Sequence, residues 1–284
     1  MMLTKKWLAQ LPLRAIQKVK AVSGGDINQA YQIKTATARY FLKVQPKYSA
    51  AFFAHEQEGL HLLSPVVRVP KVIASGVITG DAYLLLEWLD LGAGNDAQLG
   101  KAVAQVHQQH AQQFGLAHDF TAGKLPKINT WQSSWADFYI NQRLNVLAQL
   151  AQKNYLWNDF RQTHLTQLTQ LIRQYFSAHK IKPSLLHGDL WGGNVDFLAD
   201  GTPVLIDPDV FYGDREMDLA MTSLFGGFSD AFYQAYTQAY PLRPNYQQRI
   251  TWYQTYYLLA HLNLFGEMYG GALDRTLQQA TGNL

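Results

Sequence analysis

A chain of 284 residues with a formal net charge of +3 is long enough for one large domain or two ordinary ones. Hydrophobic residues supply 48% and aromatic residues 13%, enough apolar surface to exclude the disordered, collagen-like and coiled-coil classes. The small basic excess is spread along the chain, so nucleic acid is not an expected partner, and the absence of cysteine removes disulfides, thiol nucleophiles and Cys-ligated zinc or iron-sulfur clusters.

At the N-terminus a Lys pair precedes apolar residues, but Gln10, Pro12 and Arg14 break the run too early for a signal sequence. No apolar stretch approaches the roughly 20 residues that span a bilayer. A cytoplasmic protein without a membrane partner is expected. From Ala30 the pattern alternates: Tyr31 and Ile33, a polar turn over 35–39, and an apolar strand over 40–44 predict a hairpin. Residues 52–63 read as an amphipathic helix, and strands over 71–75 and 82–87 follow, joined by a turn at 79–81. Beyond Gly92 apolar residues recur at helical spacing over 98–110, 131–150, 160–176 and 247–268. Two short strands, 195–198 and 204–206, interrupt this helical half around the turn Ala199-Asp200-Gly201. The expected architecture is α+β: an antiparallel sheet lobe over 1–88, a hinge near Glu87 to Gly92, and a mainly helical lobe over 89–284 with an embedded hairpin.

The segment His187-Gly188-Asp189-Leu190-Trp191-Gly192-Gly193-Asn194, followed by Ile206-Asp207-Pro208-Asp209, carries the chemistry. An Asn and an Asp can hold Mg2+ while leaving positions for water and phosphate oxygens, and a separate carboxylate can take a hydroxyl proton. Asn194 and Asp207 are therefore the candidate metal ligands and Asp189 the candidate base. Each alone would pass for a surface turn or a cap; together they fit a kinase-type loop. Upstream, Gly24 and Gly25 precede the hairpin where bare backbone could close over phosphates. Lys43, inside an apolar strand, could reach those phosphates if Glu56 in the next helix holds it. Trp191 is a candidate for packing on the apolar face of a sugar.

Three stretches, GGDINQAYQI, HGDLWGGN and LIDPDVFYGDREMDLAM, together resemble the fructosamine kinase family, the ketosamine-3-kinases, over almost the whole chain. Phe53 with Glu56, Gly115, Trp131, Trp135 and Arg143, and the run from His261 through Phe265-Gly266 to Tyr269 extend the resemblance. It implies a protein-kinase-like bilobal fold, with residues 1–88 binding the nucleotide and 89–284 holding the catalytic and substrate sites. It also implies ATP and Mg2+ as cofactors, with Gly24, Gly25, Lys43, Glu56, Glu87 and Leu89 on the nucleotide side and Trp191 on the substrate side. The expected reaction moves the γ-phosphoryl of ATP to the 3-hydroxyl of a ketosamine, free or protein-linked. Asp218 would brace the catalytic loop, with Arg215 as its electrostatic neighbour. Asp209 stands where a smaller or uncharged residue is expected, either capping a turn or adding a carboxylate near the metal. Asp207 and Asp218 are only 11 positions apart, too few for a peptide-binding platform, which favours a small acceptor. A phosphotransferase of the aminoglycoside or choline type and a catalytically silent nucleotide-binding scaffold are the alternatives. The oligomeric state stays open, with a monomer favoured.

Overall fold

The computed structural model describes residues 3–22 and 28–282. Its contacts divide the chain into two compact units, Met1–Asn95 with Asp196–Pro208, and Asp96–Val195 with Asp209–Leu284.

In the first unit, α1 (Lys5–Leu8) is a single turn whose N-cap, Thr4, accepts the Trp7 amide at 3.2 Å. That turn seats Trp7 against the sheet. The strands β1 (Ile16–Val22), β2 (Gln29–Thr35) and β3 (Arg39–Gln45) precede α2 (Ala54–Leu63), and β4 (Val72–Ile78) and β5 (Asp81–Glu87) follow it. They form one antiparallel sheet in the order β1-β2-β3-β5-β4. The two-residue period puts Leu42, Val44, Tyr83 and Leu85 on the face that packs with Trp7, Leu11, Ile33 and Ile78. Lys43 and its cross-strand partner Leu84 therefore take the opposite face, and both are buried. Strand β1 escaped the sequence reading because Lys18 and Lys20 break its apolar pattern, as suits an edge strand open to solvent.

The second unit opens with α3 (Asp96–His107) and the short hairpin β6 (Phe120–Ala122) and β7 (Leu125–Lys127). The helix expected over 131–150 begins only at Trp135, because Ser134 accepts the Asp137 amide at 3.2 Å and so caps it. It comprises α4 (Trp135–Tyr139), a π turn over Ile140–Leu144 and α5 (Asn145–Lys153). Helix α6 (Asp159–Ala178) leads to β8 (Ser184–Leu186). The hairpin β9 (Val195–Phe197) and β10 (Pro203–Leu205) crosses into the first unit, where Leu205 donates to the Arg68 carbonyl at 3.0 Å and Gly92 to the Phe197 carbonyl at 2.8 Å. The sequence reading had placed this hairpin wholly with the helical lobe; the pairing with 68 and 92 is a non-local contact that periodicity does not encode.

Strand β11 (Phe211–Gly213) returns to pair antiparallel with β8. Helices α7 (Glu216–Leu224), α8 (Asp230–Ala239), α9 (Tyr246–Phe265) and α10 (Gly270–Gly282) complete the second unit. Helix α9 is buried along much of its length, with Trp252, Tyr253, Tyr256, Tyr257, Leu258, Leu259 and Leu262 all in the core. Among the described residues, no helix is long and apolar enough to cross a membrane.

Candidate active site

The loop after β8 is held by a carboxylate beneath it. Asp218, in the first turn of α7, accepts the backbone amides of His187 at 2.7 Å and Gly188 at 2.9 Å. Its Oδ2 also takes the Nε2 hydrogen of His107 at 3.0 Å, while His107 Nδ1 lies 2.8 Å from the Tyr236 hydroxyl. Asp218 and His107 are both fully buried, so these partners replace the water that the carboxylate loses. From the other side Asp209 donates its amide to the His187 carbonyl at 2.8 Å. Gly188 sits at φ +84°, and a Cβ there would overlap the Asp209 carbonyl, so glycine is required twice over. Asp218 thus braces the loop as expected.

Arg215 reaches Asp218 only indirectly, donating at 3.3 Å to the Tyr236 hydroxyl that contacts His107. Its guanidinium donates to the Tyr240 carbonyl at 2.7 Å and to the Pro241 carbonyl, and stacks 3.6 Å from the Tyr240 ring centre. It ties down the exit of α8, where carbonyls without intrahelical partners attract a cation.

Asp189 and Asn194 are brought together. The Asn194 amide nitrogen donates to the Asp189 carbonyl at 2.8 Å and to Asp189 Oδ2 at 2.9 Å. Both amide hydrogens are then used, and Oδ1 remains as the acceptor atom of the side chain. Burial pushes the Asp189 carboxyl up to about 6, Asp209 adds to that, and His187, Lys127 and Asn194 pull the other way. Trp191 folds its indole over Gly193, where any Cβ would collide with the ring, and stays 42% exposed. That exposure suits a surface for a ligand better than core packing.

The sequence reading missed Lys127. Its ammonium, buried at the end of β7, pairs with Asp209 and donates to the Tyr256 hydroxyl at 2.8 Å. Burial works to lower its pKa, but the carboxylate of Asp209 outweighs this and holds it above its ordinary value. The unusual carboxylate thus has a cation partner that neither reading of Asp209 included. A lone Lys beside a proline in a short hairpin gives no local cue to a partner 82 residues away.

In the first unit, Lys43 donates to Glu56 Oε1 at 2.8 Å and also pairs with Asp207. Burial alone would lower the Lys43 pKa; the two carboxylates more than offset it and keep the ammonium charged. One cation between two carboxylates leaves a net negative charge, and the Asp207 side chain keeps 37% of its surface open, so this donor set suits a further cation. Asp207 adopts φ 51°, a left-handed conformation that Asp tolerates better than most residues. Glu87 turns its carboxylate to Arg68 at 2.5 Å and to the Lys71 amide at 2.6 Å, which lowers its pKa despite burial. Any nucleotide contact there would fall to the backbone of Glu87 and of the half-buried Leu89. Gly24 and Gly25 lie outside the described residues.

The chain matches the family model described as Fructosamine kinase over residues 1–282. It is 62% identical over 279 residues to a probable ketoamine kinase of Lactiplantibacillus plantarum, covering 98% of this chain and 100% of that one. It is 37% identical to a chloroplastic protein-ribulosamine 3-kinase of Arabidopsis thaliana, over 89% of this chain and 79% of that one. The crystal structure of a putative fructosamine-3-kinase from Haemophilus somnus superposes with a TM-score of 0.84 at 29% identity, covering 93% of this chain and 91% of that one. A choline kinase from Streptococcus pneumoniae, at 14% identity, shares the fold with a TM-score of 0.65 over 95% of each chain. The α+β architecture is thus protein-kinase-like, and a match that runs through the braced HGD loop and nearly end to end makes this chain a member of the fructosamine kinase family.

Proposed function

We propose that this chain is an ATP-dependent kinase that phosphorylates the 3-hydroxyl of a ketosamine, either free or carried on a protein. The observation that carries this reading is the Asp189–Asn194 pair on a loop fixed by Asp218. Asp189 accepts the proton of the acceptor hydroxyl as that oxygen attacks the γ-phosphorus and the bond from the γ-phosphorus to the bridging oxygen breaks, ADP leaving with that oxygen; a carboxyl raised to about 6 is a stronger base than an ordinary one while still largely ionised at neutral pH. Asn194 orients that carboxylate through its amide hydrogens. Lys43, held by Glu56, supplies a fixed positive charge for the nucleotide phosphates.

Mg2+, if bound, would supply positive charge against the phosphates. Its protein ligands in this reading are Asn194, through the side-chain oxygen that its own hydrogen bonds leave over, and Asp207, through its open carboxylate. Trp191 offers its exposed ring to the sugar. Kinship with proteins named for ketoamines and for protein-linked ribulosamine supports the acceptor class over an aminoglycoside or choline. The test is phosphorylation of fructosamine, ribulosamine and erythrulosamine adducts with labelled ATP by wild type and Asp189→Asn. Labelled product from the wild type, reduced roughly a hundredfold or more in the variant, is expected. An Asp189→Asn enzyme working at the wild-type rate would rule the assignment out.

A further inference from the structure

Helix α9 runs past the catalytic loop and carries a set of aromatic rings that the reaction above leaves unused. Tyr257 points its hydroxyl at the Gly188 carbonyl, 3.4 Å away, so this part of the helix lies against the residue before Asp189. One turn further on, roughly 6 Å along the axis, stands His261. Its ring is flanked by Phe225 at 4.8 Å, Tyr269 at 4.9 Å and Phe265 at 5.6 Å between centroids, and Phe265 in turn lies 5.7 Å from Tyr269. A core cluster would be covered, but Phe225 is 40% exposed and Phe265 51%. A second tie leads back to the loop: Phe225 precedes Gly226-Gly227, and Gly227 packs against the backbone of Gly192, next to Trp191.

The histidine is set up as a hydrogen-bond acceptor. Its Nδ1 hydrogen donates to the Tyr257 carbonyl at 2.8 Å, which leaves the lone pair on Nε2. Burial lowers its pKa, consistent with a neutral ring at physiological pH. Half-exposed aromatic faces around a neutral imidazole acceptor are the chemistry that recognises an organic ammonium ion, by cation–π attraction and by one N–H···N hydrogen bond. The acceptor class proposed above supplies such a group: in a ketosamine three carbons part the reacting oxygen from a secondary amine that is protonated at neutral pH.

Resting on the ketosamine reading, we infer that Phe225, His261, Phe265 and Tyr269 form the subsite for the acceptor's ammonium group. This subsite gives the enzyme its preference for amine-bearing sugars over neutral ones. Phe225 and Phe265 are specificity-determining residues, and His261 fixes the direction of the amine.

The experiment compares two acceptors with the same sugar carbons, an N-alkyl ketosamine and its neutral 1-O-alkyl ether, on the wild type, Phe265→Leu, Phe265→Trp and Phe225→Leu. Exposed sites make these variants safe for folding. The wild type should favour the amine by about tenfold in kcat/KM, within the range of a cation–π contact. Phe265→Leu and Phe225→Leu should raise the ketosamine KM about fivefold while leaving the ether and ATP values within about twofold. Phe265→Trp should keep the preference. Equal losses on both acceptors, or an unchanged amine preference in both Leu variants, would overturn the subsite while leaving the kinase reading intact. A wild type that phosphorylates neither compound would overturn both. Sedimentation showing a dimer that Phe265→Leu dissociates would assign the face to a second copy of the chain instead.

Discussion

At Asp189 two demands meet: the carboxylate must be ionised to take a proton, yet it sits in surroundings that raise its pKa to about 6. Asn194 answers part of this by donating to it. Asp189→Asn should keep the side chain's shape while removing its basicity. The expected result is a fall in kcat of roughly a hundredfold to ten-thousandfold with the nucleotide Kd within a few fold of wild type, read from steady-state kinetics and calorimetric titration. A matching loss of nucleotide affinity would show that the residue acts in binding instead.

Lys127 and Asp209 allow a cleaner test of energetics, because both are largely buried and each neutralises the other. Lys127→Met removes the ammonium that pairs with Asp209 and should cost about 3 kcal/mol of stability, whereas Lys127→Met combined with Asp209→Ala should recover a large part of it. Denaturant unfolding of the two single variants and the double variant closes the cycle. Additive losses would mean that the pair has no coupling. The sequence singled out Asp209 as unusual but named neither its partner nor its job, since an ion pair across 82 residues is a fact of tertiary structure.

Among the elements, the loop between β8 and β9 shows how little freedom the site has. Gly188 lies under the Asp209 carbonyl at positive φ, and Gly193 lies under the Trp191 indole. Gly193→Ala should push the indole aside with little change in global stability, because the obstruction is a half-exposed side chain and not backbone. The expected signature is a raised acceptor KM with an unchanged ATP KM, together with a shift in tryptophan emission; an unaltered acceptor KM would remove Trp191 from the substrate surface. The same loop was the most legible part of the sequence. Asp189, Asn194 and Asp207 stand out in the sequence by order and residue type, and the structure joins Asp189 to Asn194 and Asp207 to Lys43. Strand β1, the β6–β7 hairpin and the β8–β11 pair were not foreseen, since three-residue strands and a Lys-rich edge carry almost no periodic signal.

For the molecule as a whole, the second unit holds a buried charge network around Asp214 and Glu216. Asp214 meets Arg243 at 2.5 Å and accepts the Tyr253 hydroxyl at 2.6 Å, while Glu216 is shared by Arg243 and Arg249 at 2.8 and 2.7 Å. Burial tends to raise the Asp214 carboxyl, but Arg243 and Tyr253 outweigh it and hold it below the ordinary range. A depressed carboxylate contributes stability that is fully present above its unfolded value, about 3.9, and is lost as pH falls through the folded value. Thermal melts from pH 3 to 8 should therefore show the melting temperature dropping below about pH 4. Asp214→Asn should lower stability at pH 7 by about 3 kcal/mol and flatten that acid slope. A variant with the wild-type acid slope would exclude Asp214 as its source.

What the sequence determined by itself was chemistry and order: a Lys in a strand, a Glu in the next helix, an HGD loop ending in Asn, and an Asp after a short hairpin, in the sequence of a kinase. Those features are legible because they depend on residue type and on short spacings, both of which the chain states directly. Only the tertiary structure decided which charges meet. It paired Lys127 with Asp209, tied Arg215 to the end of α8, joined the β9–β10 hairpin to the first unit, and gathered Phe225, His261, Phe265 and Tyr269 beside the catalytic loop. Each of these brings together residues far apart in the chain, and the energy that selects such a pairing, the removal of charge and apolar surface from water, exists only once the chain has folded.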